Sequence, residues 1–229
     1  MQSAIVTGGT GGLGSAVVGR LLSDGWRVVV PWIVESELER VPERAGLELV
    51  RADLFDPDAV AGVVAQAAGV PDAPLRGVVN LVGGFAMGGR VHETPIEEFE
   101  KQFQLNVRPT YLVTGAALPR LLEAGGGSIV CVGTRAAVQP FSGAAGYISS
   151  KAAVIAFAQA VAAEYKNDGI RCNAILPSVI DTPANRASMP KADHDRWVQP
   201  AEIAGVVAHL LSDGSRPVSG AALPVYGRA

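Results

Sequence analysis

Cysteine, histidine and charge are all scarce in this chain, and each scarcity excludes something. Two cysteines, Cys131 and Cys172, are too few for a disulfide scaffold and lack metal-ligand spacing. Both lie in apolar runs, which suits buried core thiols. The three histidines, His92, His194 and His209, share no zinc-type spacing, so no metal site is expected. Charged residues make up 18% of 229, the net charge is −3, and no Lys/Arg run occurs. A phosphate-tracking nucleic-acid binder is therefore not expected. No uninterrupted apolar stretch reaches the ~18 residues of a membrane span. No basic segment precedes the first apolar run, Ala4-Ile5-Val6, so a soluble, cytoplasmic protein without membrane partners is expected.

Apolar residues are plentiful, at 48%, with a mean hydropathy of +0.26. That excludes a disordered, solvating chain. With so few charges to dress a surface, it also points to much interior or interface. Glycine is in excess: 27 of 229, roughly 12% against a usual 7%. No G-X-Y repeat is present, so the glycines must serve local geometry.

Short β-branched runs alternate with longer helix-like stretches. The expected strands are Ser3–Thr7, Arg27–Trp32, Leu47–Arg51, Gly77–Val82, Ser128–Gly133, Arg171–Leu176 and Ala221–Val225. Most are apolar without alternation, as in strands buried on both faces. Helices are expected over Leu13–Asp24, Ser36–Val41, Pro57–Ala68, Ile96–Glu123, Gly146–Asp168 and Pro200–Ser212. This order implies an α/β, doubly wound, seven-stranded parallel sheet with helices on both faces, a Rossmann fold over residues 1–229 as one domain. Pro109 should kink the helix that contains it. Gly146–Asp168 is apolar nearly all round, so a second subunit is expected against it, in a homo-oligomer (dimer or tetramer).

Thr7-Gly8-Gly9-Thr10-Gly11-Gly12-Leu13-Gly14 follows the first strand and opens the first helix. Glycines allow a tight turn and close approach of a pyrophosphate to the helix N-terminus. The GK[ST] ending of an ATPase loop is absent. The second strand ends on Trp32, without the ribose-binding acid expected there; Glu35 is the nearest acid. No Arg follows at once for a 2′-phosphate, so NAD and NADP both stay open.

Tyr147-Ile148-Ser149-Ser150-Lys151 puts Tyr and Lys on one helical face. A nearby ammonium favours phenolate, which makes Tyr147 a candidate general acid or base.

With these residues the sequence resembles the short-chain dehydrogenases/reductases over nearly its whole length. Thr7-Gly8-x-x-x-Gly12-x-Gly14 is similar to the family's TGxxxGxG, Asn80-Leu81-Val82-Gly83 to its NNAG, and Tyr147/Lys151 to its YxxxK. The resemblance implies that Asp53 contacts adenine and that Asn106 supports a proton relay from Lys151. It implies that Thr182, in the PGxxxT-like Pro177–Thr182, meets the nicotinamide. Leu13, Trp32, Leu54, Val82 and Pro177 complete the implied cofactor groove. The family's catalytic Ser is replaced by Thr134, which keeps a hydroxyl but restricts χ1.

Within that family, Gly83–Ala86, Gly133–Ala137, Asp181–Asp193 with Trp197, and Ser215–Gly220 resemble dihydropteridine reductases, which lack the Ser. This implies NAD(P)H-dependent hydride transfer to a small conjugated C=N or C=O substrate. The alternatives are a carbonyl or 3-oxoacyl reductase using Thr134, and a non-catalytic dinucleotide-sensing protein. Phe85, Met87 and Trp197 are the expected substrate contacts, with Ala184–Val198 as a lid.

Overall fold

The computed structural model describes residues 1–228. Its strands are β1 (Ser3–Thr7), β2 (Arg27–Trp32), β3 (Leu47–Arg51), β4 (Leu75–Asn80), β5 (Gly127–Val132), β6 (Ile170–Pro177) and β7 (Ala222–Val225). They form one parallel sheet in the order β3-β2-β1-β4-β5-β6-β7. The order reverses between β1 and β4, where a doubly wound sheet opens a crevice for ligands.

The sheet is buried on both faces because successive side chains point opposite ways. Ala4, Val6, Val28 and Val30 face one layer, packed by helices α1 (Gly14–Ser23) and α7 (Pro200–Leu211). Ile5, Val29, Val78 and Ile129 face the other, packed by α2 (Pro57–Ala68), α4 (Arg108–Glu123) and α5 (Ala145–Glu164). Runs such as Val28-Val29-Val30 thus feed two cores at once.

Helix starts follow local chemistry. Asp56 caps α2 by accepting from Asp58 N at 2.9 Å, with Pro57 in the first turn. Gln199 and Glu202 form a capping box on α7 behind Pro200.

The stretch expected as one helix with a kink is two helices. The first, α3 (Ile96–Asn106), ends at Asn106, and α4 begins at Arg108 with Pro109 in its first turn. There the missing proline N–H has no helical acceptor to lose. Ser36–Val41 is a short 3₁₀ turn, Glu35–Arg40, and the long apolar helix ends at Glu164 before a separate 3₁₀ turn, Lys166–Asp168. The strand expected over Gly77–Val82 pairs over Leu75–Asn80, which leaves Leu81 to Gly84 free to shape the crevice.

Candidate functional site

The loop after β1 is built almost wholly of backbone. Gly8 has φ +65°, and its carbonyl accepts from Gly11 N at 3.0 Å. A Cβ on Gly14 would lie 2.0 Å from Gly8 O, and one on Gly9 2.7 Å from Val30. The loop can pass under α1 only with hydrogen at those positions. Leu13 precedes α1, whose first turn carries no acidic residue and no side-chain cap. No side chain therefore competes with an anion at this helix start, although Ser15 N already donates to Gly11 O at 2.9 Å and Val17 N to Leu13 O at 3.2 Å. Thr7, buried at the end of β1, accepts from Leu81 N and Val82 N at 3.1 and 3.3 Å, which ties this loop to the end of β4.

Across the crevice, Thr182 caps the short helix α6 (Pro183–Ser188) by accepting from Asn185 N. A Cβ on Gly12 would meet its methyl at 3.0 Å. Pro177 ends β6 opposite Val225, and Ser178 donates to Tyr226 O at 2.7 Å. Asp53 is exposed and accepts from Phe55 N, whereas Leu54 is buried in the core. These residues fit a dinucleotide: a backbone loop with the shape a pyrophosphate needs, Gly12 set against Thr182, and Thr7 tied to the end of β4.

Trp32 is half-buried at the end of β2, paired with Arg51. Glu35, the acid nearest in sequence, makes no hydrogen bond to the glycine loop. Glu37 does: it accepts from Thr10 Oγ1 at 2.7 Å and pairs with Arg40 at 3.1 Å. Periodicity could not reveal this, because the 3₁₀ turn folds back over the loop.

The chemical end is built of side chains. Lys151 is 6% exposed and donates to Val132 O at 2.8 Å. Burial lowers its pKa to about 8, with Cys131 nearby opposing the shift. Burial raises the Tyr147 phenol, and the Thr134 hydroxyl beside it pulls the other way. Of these two influences burial is the larger, and the Thr134 hydroxyl is the neighbour that opposes it.

Thr134 is buried and accepts from Ala136 N at the start of a 3₁₀ turn, Arg135–Ala137. Asn106 is fully buried. It accepts from Gly84 N at 2.9 Å and donates to Gly84 O and Ser150 Oγ. A Cβ on Gly83 would stand 2.5 Å from Asn106 Oδ1 and 3.0 Å from Lys151 Nζ. Asn80 donates to Thr114 Oγ1 at 3.0 Å, and its buried Oδ1 has no partner among the described residues. Cys131 and Cys172 are fully buried on the neighbouring strands β5 and β6, two register positions apart.

Phe85 is 57% exposed and stands edge-on to Tyr147, centroids 4.9 Å apart. A cavity of about 440 Å³ opens beside them, lined by Met87, Val91, Phe99, Gln102, Gly146 and Tyr147 among others. Trp197 does not line it. It is buried against His194 at 4.4 Å, where the Ile180–Val198 bridge anchors the segment after β6. That aromatic secures the expected lid and does not face the cavity.

A family model for short chain dehydrogenases matches residues 2–193. The chain is 33% identical to 2-(R)-hydroxypropyl-CoM dehydrogenase of Xanthobacter autotrophicus, over 98% of this chain and 96% of that one. It is 30% identical to dehydrogenase/reductase SDR family member 4 of Oryctolagus cuniculus, over 99% and 92%. A short-chain type dehydrogenase/reductase from Mycobacterium ulcerans superposes with a TM-score of 0.91 at 26% identity, over 99% of this chain and 89% of that one. Sequence and architecture agree from end to end, and on that agreement the chain belongs to the short-chain dehydrogenase/reductase family of NAD(P)-dependent oxidoreductases.

Proposed function

We propose that the protein, one dinucleotide-binding domain over residues 1–229, interconverts a small carbonyl compound and its alcohol, with Thr134, Tyr147 and Lys151 as the catalytic set. The placement of the Thr134 hydroxyl beside the Tyr147 phenol carries this reading. Thr7, Gly8, Gly12, Leu13 and Gly14 hold the pyrophosphate; Trp32, Asp53 and Leu54 flank the adenosine. Asn80, Val82, Gly83, Pro177 and Thr182 flank the nicotinamide. The dinucleotide supplies or accepts the hydride. Tyr147 gives its proton to the carbonyl oxygen in reduction and withdraws it in oxidation. Thr134 donates a hydrogen bond that orients that oxygen. Lys151, one helical turn further along α5 and hydrogen-bonded to Val132 O, steadies by its charge the phenolate left behind. Asn106 ties the loop after β4 to α5 and so fixes the Lys151 surroundings. Phe85 and Met87 meet the substrate.

The dihydropteridine-reductase resemblance is the second reading, since the segment after β6 carries its residues and that chemistry runs without the hydroxyl. One experiment separates the two. NADH and NADPH oxidation is followed with small ketones, quinones and a quinonoid dihydropterin. Thr134→Ala is expected to cut kcat/KM about 10²-fold or more for ketones, while Thr134→Ser keeps it. Full activity of Thr134→Ala on the dihydropterin alone would favour the second reading. Tyr147→Phe should leave cofactor binding intact and abolish most turnover under either; unchanged turnover sinks both.

We also infer a homo-oligomer, dimer or tetramer, joined through α4 and α5. Tyr111 and Leu122 on α4 are 61% and 42% exposed, and Ala152, Ala156 and Ala160 are exposed along α5. The 20-residue α5 is apolar enough to cross a membrane by length and composition. Its inner face packs on the sheet and carries Lys151, so its outer face suits a second copy.

A further inference from the structure

We propose that Arg135 binds an anionic group on the substrate, a carboxylate or similar oxyanion, on the β7 side of the reacting carbon. This rests on the carbonyl–alcohol reading of the same site. Arg135 directly follows Thr134 and opens the 3₁₀ turn after β5. Its guanidinium lies 5.2 Å from the centroid of the Tyr226 ring, and its Nε donates to Gln139 Oε1 at 2.8 Å. Tyr226 is in turn tied through its carbonyl to Ser178 at the end of β6. The cation is therefore held over the carboxyl ends of β5, β6 and β7, the end of the sheet that carries Thr134 and Tyr147.

It has no carboxylate within ion-pair distance among the described residues. A half-buried arginine held by stacking and one neutral hydrogen bond keeps its terminal N–H groups for another acceptor.

The surroundings favour negative charge. From Ala124 to Ala163 the only charged residues are Arg135 and Lys151. Gly77 to Gly89 and Cys172 to Ile180 contain none. The nearest acid after β6, Asp181, is occupied by Arg186 at 2.7 Å and Gln199 at 2.8 Å. Glu98, the acid beside the cavity, belongs to α3, which packs on the start of α5 rather than on β7. In a chain of net charge −3, this end of the sheet is locally cationic, which draws and orients an anion. Planar guanidinium suits a carboxylate in a two-bonded fork.

The test is equilibrium binding, by calorimetry, of 4-acetylbenzoate and acetoacetate and of their methyl esters to the protein saturated with NAD⁺ or NADP⁺. Wild type is expected to bind at least one carboxylate tenfold or more tighter than its ester. Arg135→Met should erase that preference, and Arg135→Lys should keep part of it. Ester binding, dinucleotide Kd and Tm should not move, which a merely structural arginine would not allow. No preference in the wild type, or a preference that survives Arg135→Met, overturns the proposal. Because binding is read and not turnover, this can fail while the Tyr147 assignment stands. Conversely, an active Tyr147→Phe enzyme would remove that assignment and leave the binding result in place.

Discussion

The two ends of the crevice are made of different materials. At the β1–α1 end the site is backbone: glycines whose missing Cβ atoms let a loop and a helix start share one space. At the β4–β6 end it is side chains, drawn from α3, α5 and the loops after β4 and β5, and locked by hydrogen bonds between distant residues. A site of backbone tolerates almost no added atom. A site of side chains tolerates substitution in shape but not in chemistry.

Mutation can break that contrast. The largest effect is expected at Gly14→Ala, where the new Cβ has 2.0 Å to Gly8 O. About 3 kcal/mol of stability should be lost, and dinucleotide affinity should fall tenfold or more; denaturant melts and cofactor fluorescence titration check both.

Lys151→Met should do the reverse, losing function while sparing the fold. Turnover is expected to fall about 10²–10³-fold, with Tm at pH 7 equal to wild type or higher. Folded Lys151 titrates near 8 and the unfolded side chain near 10.5. Below pH 8 both states carry the charge and the native state bears its burial cost. Between 8 and 10.5 the unfolded state holds the extra proton, so stability rises with pH. Relative to Lys151→Met, wild type should gain on the order of 3 kcal/mol across that window. A flat difference in melts at pH 7 and pH 10 would contradict the assignment.

The smallest effect is expected at the adenosine end. Glu37→Gln removes the charge that holds Thr10 and Arg40. Arg40 then keeps only its bond to Thr10 O, 3.4 Å long, and can turn to a 2′-phosphate, so the ratio of NADP⁺ to NAD⁺ affinity should rise a few-fold. An unchanged ratio would place cofactor choice elsewhere, with Trp32 the next residue to vary.

Legibility in the sequence divides along the same line. The glycine loop could be read because its constraint lies within eight consecutive residues. The strands were legible through their β-branched runs, although β4 pairs two residues earlier than its apolar pattern implied. Tyr147 and Lys151 were legible through a four-residue helical spacing. Glu37 was not: Glu35 is nearer the strand, and only the fold of the 3₁₀ turn selects the later acid. Trp197 reads as a cavity aromatic by its place in the chain, yet the Ile180–Val198 bridge turns it into the protein. Pro109 reads as a kink, and instead the chain ends one helix and starts another, which puts Asn106 at a helix end beside Gly84.

By itself, then, the sequence determined the strand–helix alternation, the need for a backbone cradle after β1, and the Tyr–Lys face of α5. Each depends on backbone sterics or on a helical repeat, forces that act over a few residues. Tertiary structure alone decided which acid reaches the glycine loop, and that Arg135 lies over Tyr226 with no carboxylate in ion-pair reach among the described residues. Those pairings span 27 and 91 residues of chain. They are set by the order in which a parallel sheet lays its strands side by side, which no local pattern encodes.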